Sequence, residues 1–296
     1  MNTLAKQFPH PALRRGALPT TRTLLSAGLN YILPVDSPPF SYACTPPPGQ
    51  PWESGKYALR TVSIQDGRET AERPRIDREG FELWEAPSAV EDFTDVEAVK
   101  TTYYAEAADL ALAVTGASAA HVFDHLLRKR EPDRAALSFG RRGADGRPAA
   151  NGRIHTDYTE TSGRTRLGLV LTDAAQAARV RRYAIVNIWR SIKGPVLDTP
   201  LAVCDARTVM TGDLVVSEVR YPRRTGEIYV ATYSPLHRWS YFSRMDRHEA
   251  LVFKQYDSQV SGVARFTPHA AFDHPDVPPD APLRESIELR CLVIYA

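Results

Sequence analysis

The stretch NGRIHTDYT, residues 151–159, decides the fold that this sequence predicts. In an extended strand, residues i and i+2 project from the same face. His155 and Asp157 would therefore point into one cavity, with Thr156 on the other side. An imidazole and a carboxylate so placed are two ligands of a 2-His-1-carboxylate site, which binds Fe(II) and leaves other positions open. A hydrogen-bonded surface pair is the common alternative for His-x-Asp, so a metal site needs a second histidine in support.

A facial triad in a jelly roll takes its second histidine from a late strand. His269 fits this position, because it lies in the segment FTPHAAF, residues 266–272, at the end of a strand-like run. His274 is the rival, but it lies in the turn-rich segment 273–282. The sequence therefore favours His155, Asp157 and His269 as the metal ligands and catalytic centre.

An Arg-x-Ser pair follows shortly after the second histidine. Arg284 and Ser286 share one face of the last predicted strand. A planar guanidinium binds two carboxylate oxygens, and a hydroxyl adds another donor. Arg290 lies on the same face and is a rival for the carboxylate. A cupin-like metalloenzyme that does not use a dicarboxylate co-substrate such as 2-oxoglutarate is an alternative. Such an enzyme has no carboxylate for the Arg-x-Ser pair to bind.

The C-terminal third is composed of short apolar or alternating segments separated by turn residues, which is typical of a β-sandwich, jelly roll or barrel. These segments are residues 183–189, 200–205, 213–221, 227–233, 239–243, 250–256, 263–267 and 286–295. Helical rhythm over residues 95–114, stopped by Gly116, and over residues 173–182 predicts helices that flank this β core.

We expect a single domain over residues 1–296, mainly β with flanking helices. Proline clusters predict an irregular N-terminal wrap over residues 1–55. Residues 56–150 would supply helical and strand support, and residues 151–296 the jelly-roll core. The charged loop 128–153 runs into the metal strand and is predicted to act as a lid.

Composition excludes several other classes of protein. Lys and Arg number 37 against 35 Asp and Glu, a balance that argues against nucleic-acid binding. No apolar run approaches a membrane span, no signal-peptide core is present, and the three cysteines form no metal-site spacing. We therefore expect a soluble cytoplasmic protein with no membrane partner. Neither a G-x-S-x-G nor a G-x-G-x-x-G motif is present.

With these motifs in order, the chain resembles a known oxygenase family, which includes the cephem-methoxylase accessory subunit and gibberellin-desaturase-like proteins. The resemblance covers about residues 57–295. Its blocks are AAHVFDH 119–125, IHTDY 154–158, VNIWRSI 186–192, PLAVCD 200–205, LHRWSYF 236–242, FKQYDS 253–258, FTPH 266–269 and PDAPLRESIELR 279–290.

The resemblance implies a double-stranded β-helix that uses Fe(II), 2-oxoglutarate and O2. His155, Asp157 and His269 correspond to the metal positions, and Arg284 and Ser286 to the co-substrate carboxylate site. The implied activity is oxidation of an unactivated C–H bond of a small molecule, by hydroxylation, desaturation or ring formation, with 2-oxoglutarate converted to succinate. Natural-product or amino-acid tailoring is the expected setting. Because some relatives are accessory proteins, a non-catalytic binding protein is the alternative.

Candidates for substrate contact come from the blocks around these motifs: Tyr158, Asn187, Trp189, Arg190, His237 and Trp239. On the strand over 183–191, Asn187 and Trp189 share one face and Arg190 lies on the other, so at most one set lines the cavity. Arg190 suggests a carboxylate-bearing substrate, because a charge in an apolar strand needs a partner. Substrate identity, reaction outcome and oligomeric state stay open.

Overall fold

Two facing β-sheets form the body of the protein in a computed structural model that describes residues 24–131 and 147–296. The large sheet has the strand order β1-β3-β11-β8-β13-β6-β10-β9-β2, and the small sheet β4-β12-β7-β14-β5. The strands are β1 Leu24–Ile32, β2 Phe40–Tyr42, β3 Tyr57–Asp66, β4 Phe81–Glu85, β5 Ala119–Lys129, β6 His155–Thr156, β7 Arg182–Ser191, β8 Leu201–Cys204, β9 Leu214–Arg220, β10 Thr225–Ala231, β11 Trp239–Tyr241, β12 Glu249–Asp257, β13 His269–Ala271 and β14 Glu285–Tyr295. This confirms the predicted jelly-roll class.

A helical layer covers the outer face of the small sheet. It comprises α1 Val96–Ala98, a π-helical turn Val99–Tyr103 and α2 Tyr104–Thr115. The Asp95 carboxylate accepts the backbone N–H groups of Glu97 and Ala98, and Gly116 ends the helix at φ +67°, a conformation that favours glycine. Tyr103 and the apolar side of α2 pack on β7 and β14. The predicted helix over 95–114 is thus confirmed.

A second helical segment lies between β6 and β7. It contains α3 Glu160–Val170 and the short α4 Ala174–Arg179. The helix predicted over 173–182 is shorter than expected, because Arg182 already belongs to β7. The sequence patterns do not predict α3, which contains two glycines. Gly163 is required there by packing: a Cβ at this position would lie 2.6 Å from a ring atom of Tyr256.

The prediction that residues 1–55 are irregular is wrong for β1 and for the short strand β2, while residues 1–23 lie outside the described residues. β1 pairs antiparallel with β3 over its full length, in register from Leu24–Gln65 to Ile32–Tyr57. The proline clusters that suggested irregular structure, 38–39 and 46–48, lie after β1 in the sequence. β1 and β3 are the two strands at one end of the large sheet, and we call this pair the β1–β3 hairpin although β2 lies between them in sequence. The sheet curls at this end, so that Leu29 and Ile64 join the core around Cys204 on its outer face.

The large sheet is consequently buried on both faces. Along β8, Val203 packs inward against the small sheet, and Cys204 packs outward beneath the β1–β3 hairpin. A strand residue of this sheet can therefore be buried and still face away from the space between the sheets.

Three other predictions concern features of the chain as a whole. The lid predicted over 128–153 is described only at its ends, because residues 132–146 lie outside the described part, and it stays a prediction. Cys44, Cys204 and Cys291 are free thiols, of which the last two are buried. Within residues 24–131 and 147–296, none of the helices combines the length and apolar character that crossing a membrane requires.

Candidate metal centre

The two predicted histidine ligands lie on adjacent strands of the large sheet. His155 of β6 is directly paired with His269 of β13, so both side chains project inward from the same face. Their ring centroids are 4.3 Å apart. Asp157 follows β6, and its carboxylate oxygen Oδ1 lies 3.5 Å from His155 Nε2. One potential ligand atom from each of the three residues lies within 4.8 Å of the other two.

Backbone carbonyls orient both imidazoles. His155 Nδ1 lies 2.7 Å from the carbonyl oxygen of Arg153, and His269 Nδ1 lies 3.2 Å from that of Thr267. A proton on each Nδ1 leaves Nε2 with a lone pair for a metal ion. Burial and the neighbouring His269 lower the pKa of His155 to about 3, and burial lowers the pKa of His269 to about 4. Both rings are therefore neutral at physiological pH.

The third candidate ligand, Asp157, is hydrogen-bonded by side chains of the small sheet. Asp157 Oδ2 accepts hydrogen bonds from Asn187 Nδ2 at 2.9 Å and from Arg290 Nε at 2.8 Å. Its backbone N–H donates to Gln255 Oε1 at 2.7 Å. Burial alone would raise the pKa of Asp157, but the charge of Arg290 and the hydrogen bond from Asn187 hold it well below its usual range. The carboxylate is thus ionised, with Oδ2 already bonded.

Arg284 and Ser286 form a buried polar site at the N-terminal end of β14. Arg284 is 3% exposed; its Nη1 donates to the carbonyl of Thr199 at 2.8 Å, and its guanidinium carbon lies 5.4 Å from the centre of a Trp189 ring. Its Nε and the hydroxyl of Ser286 have no hydrogen-bond partner among the described residues. Burial and the nearby Arg128 lower the pKa of Arg284 to about 10. A buried cation that lacks a carboxylate partner is what an anionic ligand requires.

The rival guanidinium, Arg290, is fully engaged by acidic side chains. Besides Asp157, it donates to Asp124 Oδ2 at 2.8 Å and to Glu288 Oε1 at 3.3 Å. Burial opposes its charge, but Asp157 and Glu288 raise the pKa of Arg290 well above its usual value. Of the two arginines that the sequence left open, Arg284 is the one with capacity for a further carboxylate.

The rival histidine also lies away from the cluster. The ring of His274 stacks on Phe272, with centroids 6.4 Å apart, and its backbone N–H donates to the carbonyl of Asp198. Phe272 belongs to the core on the outer face of the large sheet.

Three of the six substrate-contact candidates lie beside the centre. Asn187 bonds to Asp157, and its Oδ1 is buried without a partner among the described residues. Trp189 shares its face and flanks Arg284. Tyr158 directly follows Asp157 in the sequence; it is buried, and burial raises its pKa to about 12. Contact of these three with substrate stays a prediction.

The prediction that Arg190 contacts the substrate is corrected by its position in the fold. It lies on the opposite face of β7, where its Nε donates to the Tyr103 hydroxyl at 2.7 Å and its Nη1 donates to the carbonyl of Arg247 at 3.1 Å. Its charge does need a partner, as the sequence suggested, but the helical layer supplies that partner.

His237 and Trp239 are also placed away from the metal cluster. Trp239 pairs with Cys204 on the outer face of the large sheet. Its Nε1 donates to the Tyr31 hydroxyl at 2.8 Å, which lies 3.2 Å from His237 Nδ1. His237 Nε2 in turn lies 3.1 Å from Asp213 Oδ2. These hydrogen bonds join β1 to side chains on the outer face of the large sheet. The assignment of His237 and Trp239 to the substrate cavity is therefore wrong.

The sequence missed Gln255 and the role of Arg290. Gln255 lies at a bulge in β12, where the register with β7 shifts between Lys254 and Tyr256. A bulge turns a side chain away from strict alternation, so the period-two pattern could not place Gln255 in the site.

The donor set fits iron with a dicarboxylate co-substrate. Two neutral imidazoles and one carboxylate are the ligands of a facial-triad Fe(II) site. The partnerless Nε of Arg284 and hydroxyl of Ser286 are suited to the distal carboxylate of 2-oxoglutarate.

Comparison with known proteins supports the same class. Residues 29–294 match the family described as "Oxidoreductase/YMDC permease-like domain". The hydroxylase/desaturase efuI of Hormonema carpetanum is 34% identical over 262 residues, covering 81% of this chain and 85% of that protein. The Fe(II)/2-oxoglutarate-dependent dioxygenase nvfI of Aspergillus novofumigatus is 33% identical over 259 residues, covering 85% and 89%. The solved structure of the iron and alpha-ketoglutarate-dependent endoperoxidase NvfI matches with a TM-score of 0.81 at 27% identity, over 93% of this chain and 100% of that chain.

The chain therefore belongs to the Fe(II)/2-oxoglutarate-dependent oxygenases. It is an oxidoreductase that uses Fe(II), 2-oxoglutarate and O2 to oxidise a small molecule, as the resemblance implied.

Proposed function

We propose that His155, Asp157 and His269 hold the iron, and that Arg284 and Ser286 bind the distal carboxylate of 2-oxoglutarate. The observation that carries this assignment is the buried Arg284–Ser286 pair, with two polar atoms lacking partners among the described residues. When bound, iron with 2-oxoglutarate and O2 supplies an oxidant that breaks a C–H bond and leaves succinate and CO2.

The protein's own groups bind, orient and exclude water. Thr199 holds one nitrogen of Arg284 through its carbonyl, so the remaining guanidinium edge has a fixed direction toward the co-substrate. Trp189 covers the guanidinium on one side and keeps water from it. Arg153 and Thr267 fix the imidazole tautomers through their carbonyls, and Asn187 with Arg290 fixes the carboxylate.

The test is anaerobic titration of the iron-loaded protein with 2-oxoglutarate, following the visible charge-transfer band of the chelate. We expect the band in the wild type, its loss in His155→Ala and His269→Ala, and its weakening in Arg284→Ala. His274→Ala is the matched control for His269→Ala, because His274 lies outside the cluster and should leave the band intact.

No band in folded, iron-loaded wild type would contradict the assignment and favour a cupin-like or accessory role. Equal effects of His274→Ala and His269→Ala would contradict the choice of ligand.

We further propose that the reaction is hydroxylation, desaturation or ring formation in natural-product tailoring. The names of the relatives, hydroxylase/desaturase and endoperoxidase, support oxidation at carbon with differing outcomes. Product analysis by mass spectrometry, with 18O2 as the oxygen source, distinguishes oxygen insertion from desaturation.

The prediction that the substrate carries a carboxylate depended on Arg190, which bonds to Tyr103 and Arg247 instead, so that prediction loses its support. The cytoplasmic location stays a prediction.

A further inference from the structure

Asp157 presents two chemically different carboxylate oxygens. Oδ1 is the oxygen that faces His155 Nε2 at 3.5 Å. Oδ2 accepts two donors from the small sheet, Asn187 Nδ2 and Arg290 Nε, both within 3 Å. One of these donors carries a positive charge, which makes the bond short and strong.

This difference matters because carboxylates bind metal ions through one oxygen or through both. An octahedral iron centre has six positions. Two histidines and one carboxylate oxygen would fill three of them, which would leave three for the co-substrate and O2. A carboxylate that bound through both oxygens would occupy a position that the reaction requires.

We propose that Asn187 and Arg290 are positioning residues that withhold Oδ2 of Asp157 from the iron, so that the ion binds through Oδ1 alone. This inference rests on the proposed function only in taking Asp157 as a metal ligand. It gives two inward-facing arginines different tasks: Arg284, which directly precedes β14, binds the co-substrate, and Arg290, within β14, keeps a coordination position open for it.

The surroundings of Arg290 support this assignment. Asp124 and Glu288 occupy its two remaining nitrogens, so the guanidinium is held on three sides. Arg290 pairs with Asn187 across β14 and β7, which places both donors in one row of the sheet opposite Asp157. Asn187 is fully buried, so its amide cannot turn outward to water.

The experiment measures Fe(II) affinity and 2-oxoglutarate affinity separately. Fe(II) affinity is obtained by competition with a chelator in the absence of co-substrate, and 2-oxoglutarate affinity from the anaerobic charge-transfer band. The variants are Asn187→Leu, which keeps the shape but removes the donor, and Arg290→Lys, which keeps the charge but removes the fork. Asp124→Asn is the matched control, because it alters the far end of Arg290 and leaves both bonds to Asp157.

We expect Asn187→Leu and Arg290→Lys to bind Fe(II) as tightly as the wild type or more tightly. Their 2-oxoglutarate affinity should fall by about tenfold or more, the scale on which outer groups tune metal sites. Arg284→Met should also weaken 2-oxoglutarate but leave Fe(II) affinity unchanged. Asp124→Asn should change neither.

Weakened Fe(II) binding in Asn187→Leu and Arg290→Lys, with unchanged 2-oxoglutarate affinity, would overturn the proposal and make the pair a simple support for the ligand. If Arg290→Lys does not fold, Asn187→Leu alone decides. A wild type that binds Fe(II) without a band contradicts the proposed function instead. The Fe(II) affinities then still test the positioning role, because tighter binding in the variants upholds it and unchanged or weaker binding overturns it.

Discussion

Gln255 Oε1 accepts the backbone N–H of Asp157 at 2.7 Å, across the space between the two sheets. The same amide donates from Nε2 to the carbonyl of Thr267 at 3.4 Å. The same carbonyl also accepts a hydrogen bond from Nδ1 of His269. One side chain of the small sheet therefore contacts the segments that carry two of the three candidate ligands.

Replacing Gln255 by Leu should weaken Fe(II) binding by about tenfold, because the segments of Asp157 and His269 lose a shared support. Chelator competition measures the change. Gln259→Leu is the control, since Gln259 is exposed and bonds only to its own turn through the carbonyl of Ser261. Equal iron affinities in the wild type and Gln255→Leu would show that the bulge has no effect on the site.

Replacing Arg284 by Met should raise the Kd for 2-oxoglutarate by ten- to hundredfold, since a hydrogen bond to a charged group contributes about 1.5–3 kcal/mol. Fe(II) affinity should not change, because Arg284 bonds to none of the three ligands. Equilibrium titration of the charge-transfer band measures the shift. Arg223→Met, at an exposed position, serves as the control. A fall in iron affinity equal to that of 2-oxoglutarate would argue for general disruption of the site.

Replacing Arg190 by Met should destabilise the protein by about 2–3 kcal/mol without altering the affinity for 2-oxoglutarate. The substitution leaves the Tyr103 hydroxyl and the Arg247 carbonyl without their buried partner. Urea unfolding gives the change in the free energy of unfolding. A large loss of co-substrate affinity at unchanged stability would instead return Arg190 to the active site.

The metal-free protein should lose stability as pH falls from about 6.5 toward 4. An unfolded histidine has a pKa near 6.5, whereas His155 and His269 titrate at about 3 and about 4 in the fold. Below pH 6.5 the unfolded chain therefore binds more protons, and each of the two histidines lowers the free energy of unfolding by up to about 1.4 kcal/mol per pH unit.

The check is the difference between the wild type and His155→Gln in urea unfolding across this pH range. The variant should show a shallower loss of stability, by the contribution of one proton. His248→Gln, at an exposed position, should keep the wild-type slope. Parallel curves for wild type and His155→Gln would contradict the lowered pKa.

The candidate centre was accessible from sequence because its signals are local. His155 and Asp157 are two residues apart, as are Arg284 and Ser286, so alternation along a strand predicts each pair. The same alternation correctly placed Asn187 and Arg190 on opposite faces of β7. Which face looks inward depends on the packing of α2 against the small sheet, and no local pattern contains that information.

The errors arose where tertiary packing overrides pattern. His237 and Trp239 are buried as an active-site aromatic would be, but the large sheet has a second core beneath the β1–β3 hairpin. That hairpin was hidden by the prolines that follow β1, and α3 was hidden by its glycines. The decision between the two arginines required knowing that three acidic side chains bond to Arg290, whereas no acidic side chain among the described residues bonds to the guanidinium of Arg284.

The inner faces of the two sheets encode different properties of the centre. His155, Asp157 and His269 come from strands of the large sheet or the residue after one, whereas Asn187, Gln255 and Arg290 come from β7, β12 and β14 of the small sheet. The large sheet therefore supplies the candidate ligands, and the small sheet supplies the side chains that bond to Asp157. A substitution on the small sheet can therefore change the charge and hydrogen bonding around the candidate ligands while the ligands themselves stay the same.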